Sequence, residues 1–214
     1  RTALLEGSYV DSFYEGTLDK FKEEHPELFK QDGELKANFI KAGKAIARSL
    51  RDPLFQEYMS GEKQVIMTGE LFGSKWKIKM DSYHPGRAIV DLKYMQSLTK
   101  FGYVPDIGYL DFVRYWGYDL QGAIYQEIVY QNTGKRLPFY IAGISKEEAM
   151  NIEVIYIHDN YLKEAMKVIE SRMPRILQVK YHGAKPDRCE QCIWCRDTKV
   201  LTKPIGIGDL TASL

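Results

Sequence analysis

Asp81, Asp91 and Lys93 fall in the stretch KMDSYHPGRAIVDLK as a D-x9-D-x-K pattern. Residues 75–81 and 88–94 read as strands, with His84-Pro85-Gly86-Arg87 as the turn between them. Antiparallel pairing then brings Asp81 level with Val90 and Asp91. Strand alternation puts Asp91 and Lys93 on one face and Val90 and Leu92 on the other. Two carboxylates held this close repel, so the arrangement suits a cation between them. Hard divalent ions such as Mg²⁺ or Mn²⁺ take oxygen ligands and keep waters and substrate phosphate oxygens. Lys93, beside such an ion, can orient an attacking water or offset charge on a pentavalent phosphate, which is the chemistry of phosphodiester hydrolysis. A surface Asp-Lys pair on a hairpin meets the same spacing, so the pattern gains weight only from agreement elsewhere in the chain.

The elements that must position these groups can be read along the chain. ALLEGSYVDSFYEGTLDKFKEEHPELF predicts a helix and then a looser acidic segment. DGELKANFIKAGKAIARSLRD predicts a helix that begins at Asp32 or Gly33 and ends before Pro53. Its Lys41, Lys44, Arg48 and Arg51 recur at i, i+3, i+7 and i+10 and share one face. A solvated face explains that stripe, and it is also the first place to look for phosphate contacts. Residues 63–72 predict a strand before the pattern, closed by Gly73-Ser74. Along residues 75–81, Trp76, Ile78 and Met80 share one face, while Lys75, Lys77, Lys79 and Asp81 share the other. Those three lysines are candidate phosphate contacts, with the salt-sensitive affinity such contacts bring. Residues 106–133 predict one long aromatic-rich helix closed by Asn132-Thr133-Gly134. RLPFYIAGIS and NIEVIYIHD predict two apolar strands, and the following helical segment carries Pro174, where a kink or break is expected. The order implies an α/β fold: one domain over residues 1–214 with a central mixed β-sheet flanked by helices.

Composition is that of an ordinary globular chain. It has 214 residues, 44% hydrophobic and 28% charged, which argues against disorder. No apolar run approaches the length a bilayer needs, and no leader pattern opens the chain, so no membrane partner and a cytoplasmic location are expected. RTALLEG reads as a helix already in progress, so the native chain is expected to begin earlier. The net charge is only +1, so any polyanion partner must be met by local patches. The 15 tyrosines suit cores and interfaces, and can also stack on bases.

Taken together, KMDSYHPGRAIVDLK resembles the signature of the PD-(D/E)xK nuclease superfamily. Gln121 and Tyr125 in GYDLQGAIYQEI stand at the Q-x3-Y spacing of its RecB-like branch, and Gly7, Ser8 and Asp11 in LLEGSYVDSFYEG resemble that branch's first motif. Asp11 stands where many relatives have His, and Tyr94 follows Lys93 where relatives carry a small residue. The C-terminal RCEQCIWCRDTK resembles the tail of phage relatives of exodeoxyribonuclease VIII. The resemblance implies a restriction-endonuclease-like fold and an Mg²⁺-dependent 5′-to-3′ exonuclease on linear double-stranded DNA. It implies phage-type recombination beside a single-strand annealing protein, and a homo-oligomeric ring. It also implies Asp81, Asp91, the Leu92 carbonyl and Asp11 as metal ligands, Lys93 as the catalytic lysine, and Gln121 and Tyr125 as further catalytic residues. Glu70 has the parity to approach the metals, though an exposed strand carboxylate explains it as well. An endonuclease on the same core, and a non-catalytic DNA-binding or assembly module, are the alternatives.

Cys189, Cys192 and Cys195 have C-x2-C-x2-C spacing in a tail at about residues 183–214. Zn²⁺ or an Fe–S cluster wants four ligands, and the chain has no fourth Cys; His182, a missing segment or another subunit could supply one. Reduced, unligated thiols are the default reading of the cluster.

Overall fold

Helical spacing at the start of the chain is realised as α1 (Thr2–Glu15) and α2 (Leu18–Glu24), separated at Gly16, whose φ of 76° stops the first helix. The expected loose acidic segment is therefore largely helical. The computed structural model describes residues 2–104, 107–190 and 192–208. The next helix, α3 (Ala37–Ser49), starts later than the Asp32 or Gly33 the sequence suggested. The Asp32 carboxylate accepts the Glu34 N–H at 3.0 Å, and Phe29 bridges Leu35, so this stretch is held as a turn before helix can begin. Asp52 then caps α4 (Pro53–Tyr58) by accepting the Phe55 N–H at 2.9 Å.

Strand β1 (Val65–Leu71) pairs antiparallel with β2 (Ser74–Met80) as a two-stranded sheet. The run through Asp81 is not one strand. It breaks there, and β3 (Ser82–His84) pairs instead with β4 (Ala88–Met95), Ser82 opposite Val90. The turn falls at His84–Arg87 as expected, closed by Arg87 N–H to His84 O at 2.9 Å. A small hairpin follows, β5 (Gly102–Val104) with β6 (Gly108–Leu110).

The predicted helix over 106–133 is a strand, a turn of helix and a longer helix. Asp111 caps α5 (Phe112–Tyr115), Gly117 turns left-handed (φ 70°), and α6 runs Tyr118–Thr133 to a left-handed Gly134. Asp106, inside that expectation, lies outside the described residues. β7 (Phe139–Ser145) and β8 (Ile152–Ile157) complete a four-stranded sheet of order β3-β4-β7-β8, with β4 and β7 parallel and the other pairs antiparallel. The mixed sheet expected from the sequence is thus present. α7 (Asp159–Tyr181) continues through Pro174 rather than breaking. One proline forfeits a single helix bond, and a 23-residue helix keeps the rest. The short α8 (Ile193–Asp197) follows the cysteines. The chain divides into units Arg1–Ser171 and Arg172–Leu214. Among the described residues, no helix is long and apolar enough to cross a membrane.

Two layers cover the main sheet. Val90 and Leu92 of β4, with Ala142 and Ile144 of β7, pack into a core with Val10 of α1 and Phe39, Ala42 and Ile46 of α3. On the other face lies α6, which comes close because Gly122 has no side chain: a Cβ there would sit 2.6 Å from the Phe139 ring and 3.0 Å from Leu162. Gly122→Val should therefore lower unfolding stability by roughly 1–3 kcal/mol, as overpacking does, measured as a shift of the urea midpoint.

Candidate active site

Asp91 is buried at the centre of the sheet, 3% exposed, flanked by β3 and β7. A carboxylate so placed must be partnered. Its Oδ2 forms an ion pair with Lys93 Nζ, two residues along the same face, and its Oδ1 accepts Gln121 Nε2 from α6 at 2.6 Å. Asp81, at the break between β2 and β3, turns its Oδ2 to the Leu92 backbone N–H at 2.8 Å and accepts Gln64 Nε2 on Oδ1 at 3.3 Å. Both aspartates of the pattern thus converge on residues 91–93 of one strand.

The break that aims Asp81 is itself pinned. Ser82 is fully buried, donates to Tyr58 O at 2.8 Å and accepts the Gly61 N–H at 2.9 Å. Gly61 has to be glycine, because a Cβ would fall 2.5 Å from Tyr83 O. On the other side, the Tyr125 hydroxyl donates to Lys79 O at 2.9 Å, two residues before Asp81. Tyr125 therefore holds the strand that carries Asp81, rather than a carboxylate. One turn earlier on α6, Gln121 holds Asp91 directly.

Asp11, from α1, joins the same electrostatic cluster. Burial first, then repulsion from Asp81, Asp91 and Glu15, pushes its carboxyl up to about 7, with Lys93 opposing. It opens on a polar cavity of about 400 Å³ that also holds Ser8, Glu15 and Lys79. Burial likewise raises Asp91, and Asp81 adds to the rise while Lys93 and Gln121 oppose it. For Lys93, burial favours the neutral amine, but Asp91 and then Asp81 outweigh it and the ammonium is held above its ordinary range. Asp81 and Asp91 meet on one strand and Asp11 feels the charge of both, so three hard oxygen donors, the chemistry a divalent cation takes, share one electrostatic environment.

Some groups around the cluster carry no sequence signal. Gln64 adopts a left-handed backbone, φ 54°, to reach Asp81. Lys63 Nζ is buried without a hydrogen bond; burial lowers its pKa and Asp81 opposes. Lys93 Nζ also lies over the Tyr118 ring, 4.9 Å from its centroid. Only the positive φ of a non-glycine residue hints at the first of these, and it is invisible before folding.

Other expected site residues lie elsewhere. Lys75, Lys77 and Lys79 are exposed on the solvent face of β2, with Lys79 3.6 Å from Glu15. Lys41, Lys44 and Arg48 lie on α3, outside the hydrogen bonds around Asp91. Glu70 is exposed opposite Lys75, at the far end of the β1–β2 ladder from Met80 and Asp81. In the unit Arg172–Leu214, the Sγ atoms of Cys189, Cys192 and Cys195 lie within 4.8 Å of one another, Cys195 buried; His182 is outside that group. The Cys192 N–H points to Cys189 Sγ at 3.3 Å and the Cys195 N–H to Cys192 Sγ at 3.4 Å.

Residues 1–198 match the model of a family described as a "PDDEXK-like domain of unknown function (DUF3799)". No curated protein matches the chain at a significant level. A crystal structure from Eubacterium rectale, of a protein named "Putative exonuclease", is 64% identical, with a TM-score of 0.93 over 100% of this chain and 80% of that one.

The raised Asp11 carboxyl has a consequence for stability. Between the ordinary 3.8 and about 7, the folded chain holds a proton that the unfolded chain has released, so stability falls as pH rises through this window. Metal-free protein is expected to lose on the order of a few kcal/mol between pH 4 and 8. Asp11→Asn should flatten the curve and added Mg²⁺ should restore the loss, both read by urea unfolding in buffers of constant ionic strength.

Proposed function

The chain belongs to the PDDEXK-like family, and on that premise we propose that it is a divalent-metal-dependent nuclease that degrades linear double-stranded DNA from its ends in the 5′-to-3′ direction. The observation that carries this is the convergence of Asp81, Asp91 and Lys93 on one strand, with Gln121 on Asp91. The "Putative exonuclease" name of the Eubacterium rectale relative supports the choice of reaction.

Asp81, Asp91, Asp11 and the Leu92 carbonyl would hold Mg²⁺ or Mn²⁺, which when bound acts as a Lewis acid on the phosphate and lowers the pKa of a water. The protein groups divide the remaining work. Lys93 keeps its proton, because Asp91 and Asp81 stabilise the ammonium, so it offsets charge on the phosphate and orients the nucleophile instead of acting as a base. Gln121 fixes the orientation of Asp91. Tyr125, through Lys79 O, fixes the chain segment that carries Asp81. Lys75, Lys77 and Lys79 form an exposed row that can meet backbone phosphates; Lys41, Lys44 and Arg48 offer a second patch on α3.

The family resemblance supports a place in phage-type recombination beside a single-strand annealing protein, assembly as a ring of identical subunits, and work in the cytoplasm. The tail at about residues 183–214 belongs, on this reading, to the same nuclease domain. Its three clustered thiols support a thiophilic centre, Zn²⁺ or Fe–S, completed by a fourth ligand from outside the group.

Lys93→Ala is expected to cut hydrolysis of end-labelled linear duplex by roughly 10²- to 10³-fold, the cost of removing one charge-stabilising donor, and chelation should abolish it. Covalently closed circles should resist wild type. Cutting of the circle first would make the enzyme an endonuclease, and no hydrolysis with any divalent ion would leave a binding module.

A further inference from the structure

Beyond the carboxylate cluster, the end of β4 opens into a cavity of about 570 Å³. It begins at Tyr118, whose ring faces Lys93 Nζ, and runs past Tyr94, Met95 and Gln96. Its outer wall is aromatic and wet: Phe101 is 65% exposed, Tyr115 41% and Trp116 61%. Exposed rings of this size in a row are unusual on a soluble surface and mark a contact site. Lys100 and Lys146 line it too; among the described lining residues none is Asp or Glu, although Ser97 donates to Glu147 at 2.9 Å. Lys146 is already paired with Glu6, while Lys100 is exposed.

The wall is built, not incidental. Tyr115 and Trp116 stand edge to face with centroids 5.1 Å apart. Gly102 seats the Tyr115 ring: a Cβ at that position would fall 2.1 Å from it. The left-handed Gly117 then turns the chain so that Trp116 and Tyr118 line one cavity on either side of it.

Exposed aromatic rings beside an exposed lysine are the chemistry of a channel for unpaired nucleotides: bases stack on rings and phosphates meet lysine. Bases inside a duplex are already stacked and cannot offer their faces. Tyr118, which lines the cavity and carries Lys93 Nζ over its ring, sets which strand is meant. We propose that Tyr118, Trp116, Tyr115 and Phe101, with Lys100, hold the bases of an unpaired stretch of the strand being cut, next to the scissile phosphate. This rests on the nuclease reading for which strand enters, but the binding itself does not require hydrolysis. The duplex end is therefore opened over a few nucleotides before cleavage, and ends with single-stranded tails should be preferred to blunt ends.

The test is fluorescence anisotropy with a labelled short oligothymidine and a blunt DNA hairpin, in EDTA so that nothing is cut. Trp116→Ala should weaken oligothymidine binding roughly tenfold, within the range for one lost stack, and leave the blunt hairpin within about twofold. Trp116→Phe should recover most of the affinity, which a merely structural role would not explain. Circular dichroism on the same samples checks the fold; Trp116 is exposed, so it should hold. Equal loss on both ligands, or no loss, overturns the proposal. So does dissociation of an oligomer by Trp116→Ala with oligothymidine binding intact, since the patch is then a contact between copies. If wild type hydrolyses nothing in Mg²⁺ yet shows the selective loss, the channel stands and the nuclease reading fails.

Discussion

The buried ion pair between Asp91 and Lys93 is the interaction around which this fold is arranged. A carboxylate in the middle of a sheet, 3% exposed, is costly to bury unless it is paired and hydrogen-bonded. The strand solves this locally, because alternation places Lys93 on the same face two residues on. The remaining oxygen is met by Gln121 from across the layer. The placement also explains why the neighbouring strands must be apolar elsewhere. Val90, Leu92, Ile141 and Ala142 are almost wholly buried, so few positions around Asp91 and Lys93 are left for polar groups.

α6 is the second constraint, since it holds two sheets at once. Gln121 holds Asp91 in the main sheet, while Tyr125, Gln131 and Asn132 hold Lys79, Glu70 and Thr68 of the β1–β2 hairpin. Three of those contacts reach backbone atoms, so they fix the path of the hairpin whatever its side chains are. Gly69 allows the approach, because a Cβ there would meet Gln131 and Ile128 at 2.4 and 2.6 Å. Asp81 follows directly from this hairpin, so the distance between the two aspartates is governed by one helix. A helix shift of a fraction of an ångström would be felt at both carboxylates, and rigid support of that kind is what a catalytic constellation requires.

Much of this was legible in the sequence because it is written in short-range alternation. The lysine face and apolar face of β2, the turn at residues 84–87 and the Asp91-Lys93 face are all period-2 statements, and the coordinates have them. The i, i+4 pair Gln121 and Tyr125 was legible as a helical face, although not that Tyr125 would serve a backbone carbonyl. What failed depended on special backbone. Residues 106–133 carry helical spacing throughout, but Gly117 and Asp111 cut it, and glycine signals only that a left-handed turn is permitted, not that it is used. The strand break at Asp81 is set by pairing, since β2 joins β1 and β3 joins β4, and no local pattern names those partners. Lys63, Gln64 and Tyr118 were missed for a simpler reason: they reach the site through folding contacts that no local pattern encodes.

The charges around the site then make sense as a set. Asp11, Asp81 and Asp91 are opposed by the Lys93 ammonium, in contact with Asp91, while burial pulls Lys63 toward its neutral amine and Asp81 pulls it back. Three carboxylates against one firmly held ammonium leave an excess of negative charge, which the proposed divalent cation would offset. The raised Asp11 carboxyl is where this crowding shows: burial first, and then the charges of Asp81 and Asp91, favour its protonated form, while Lys93 opposes them.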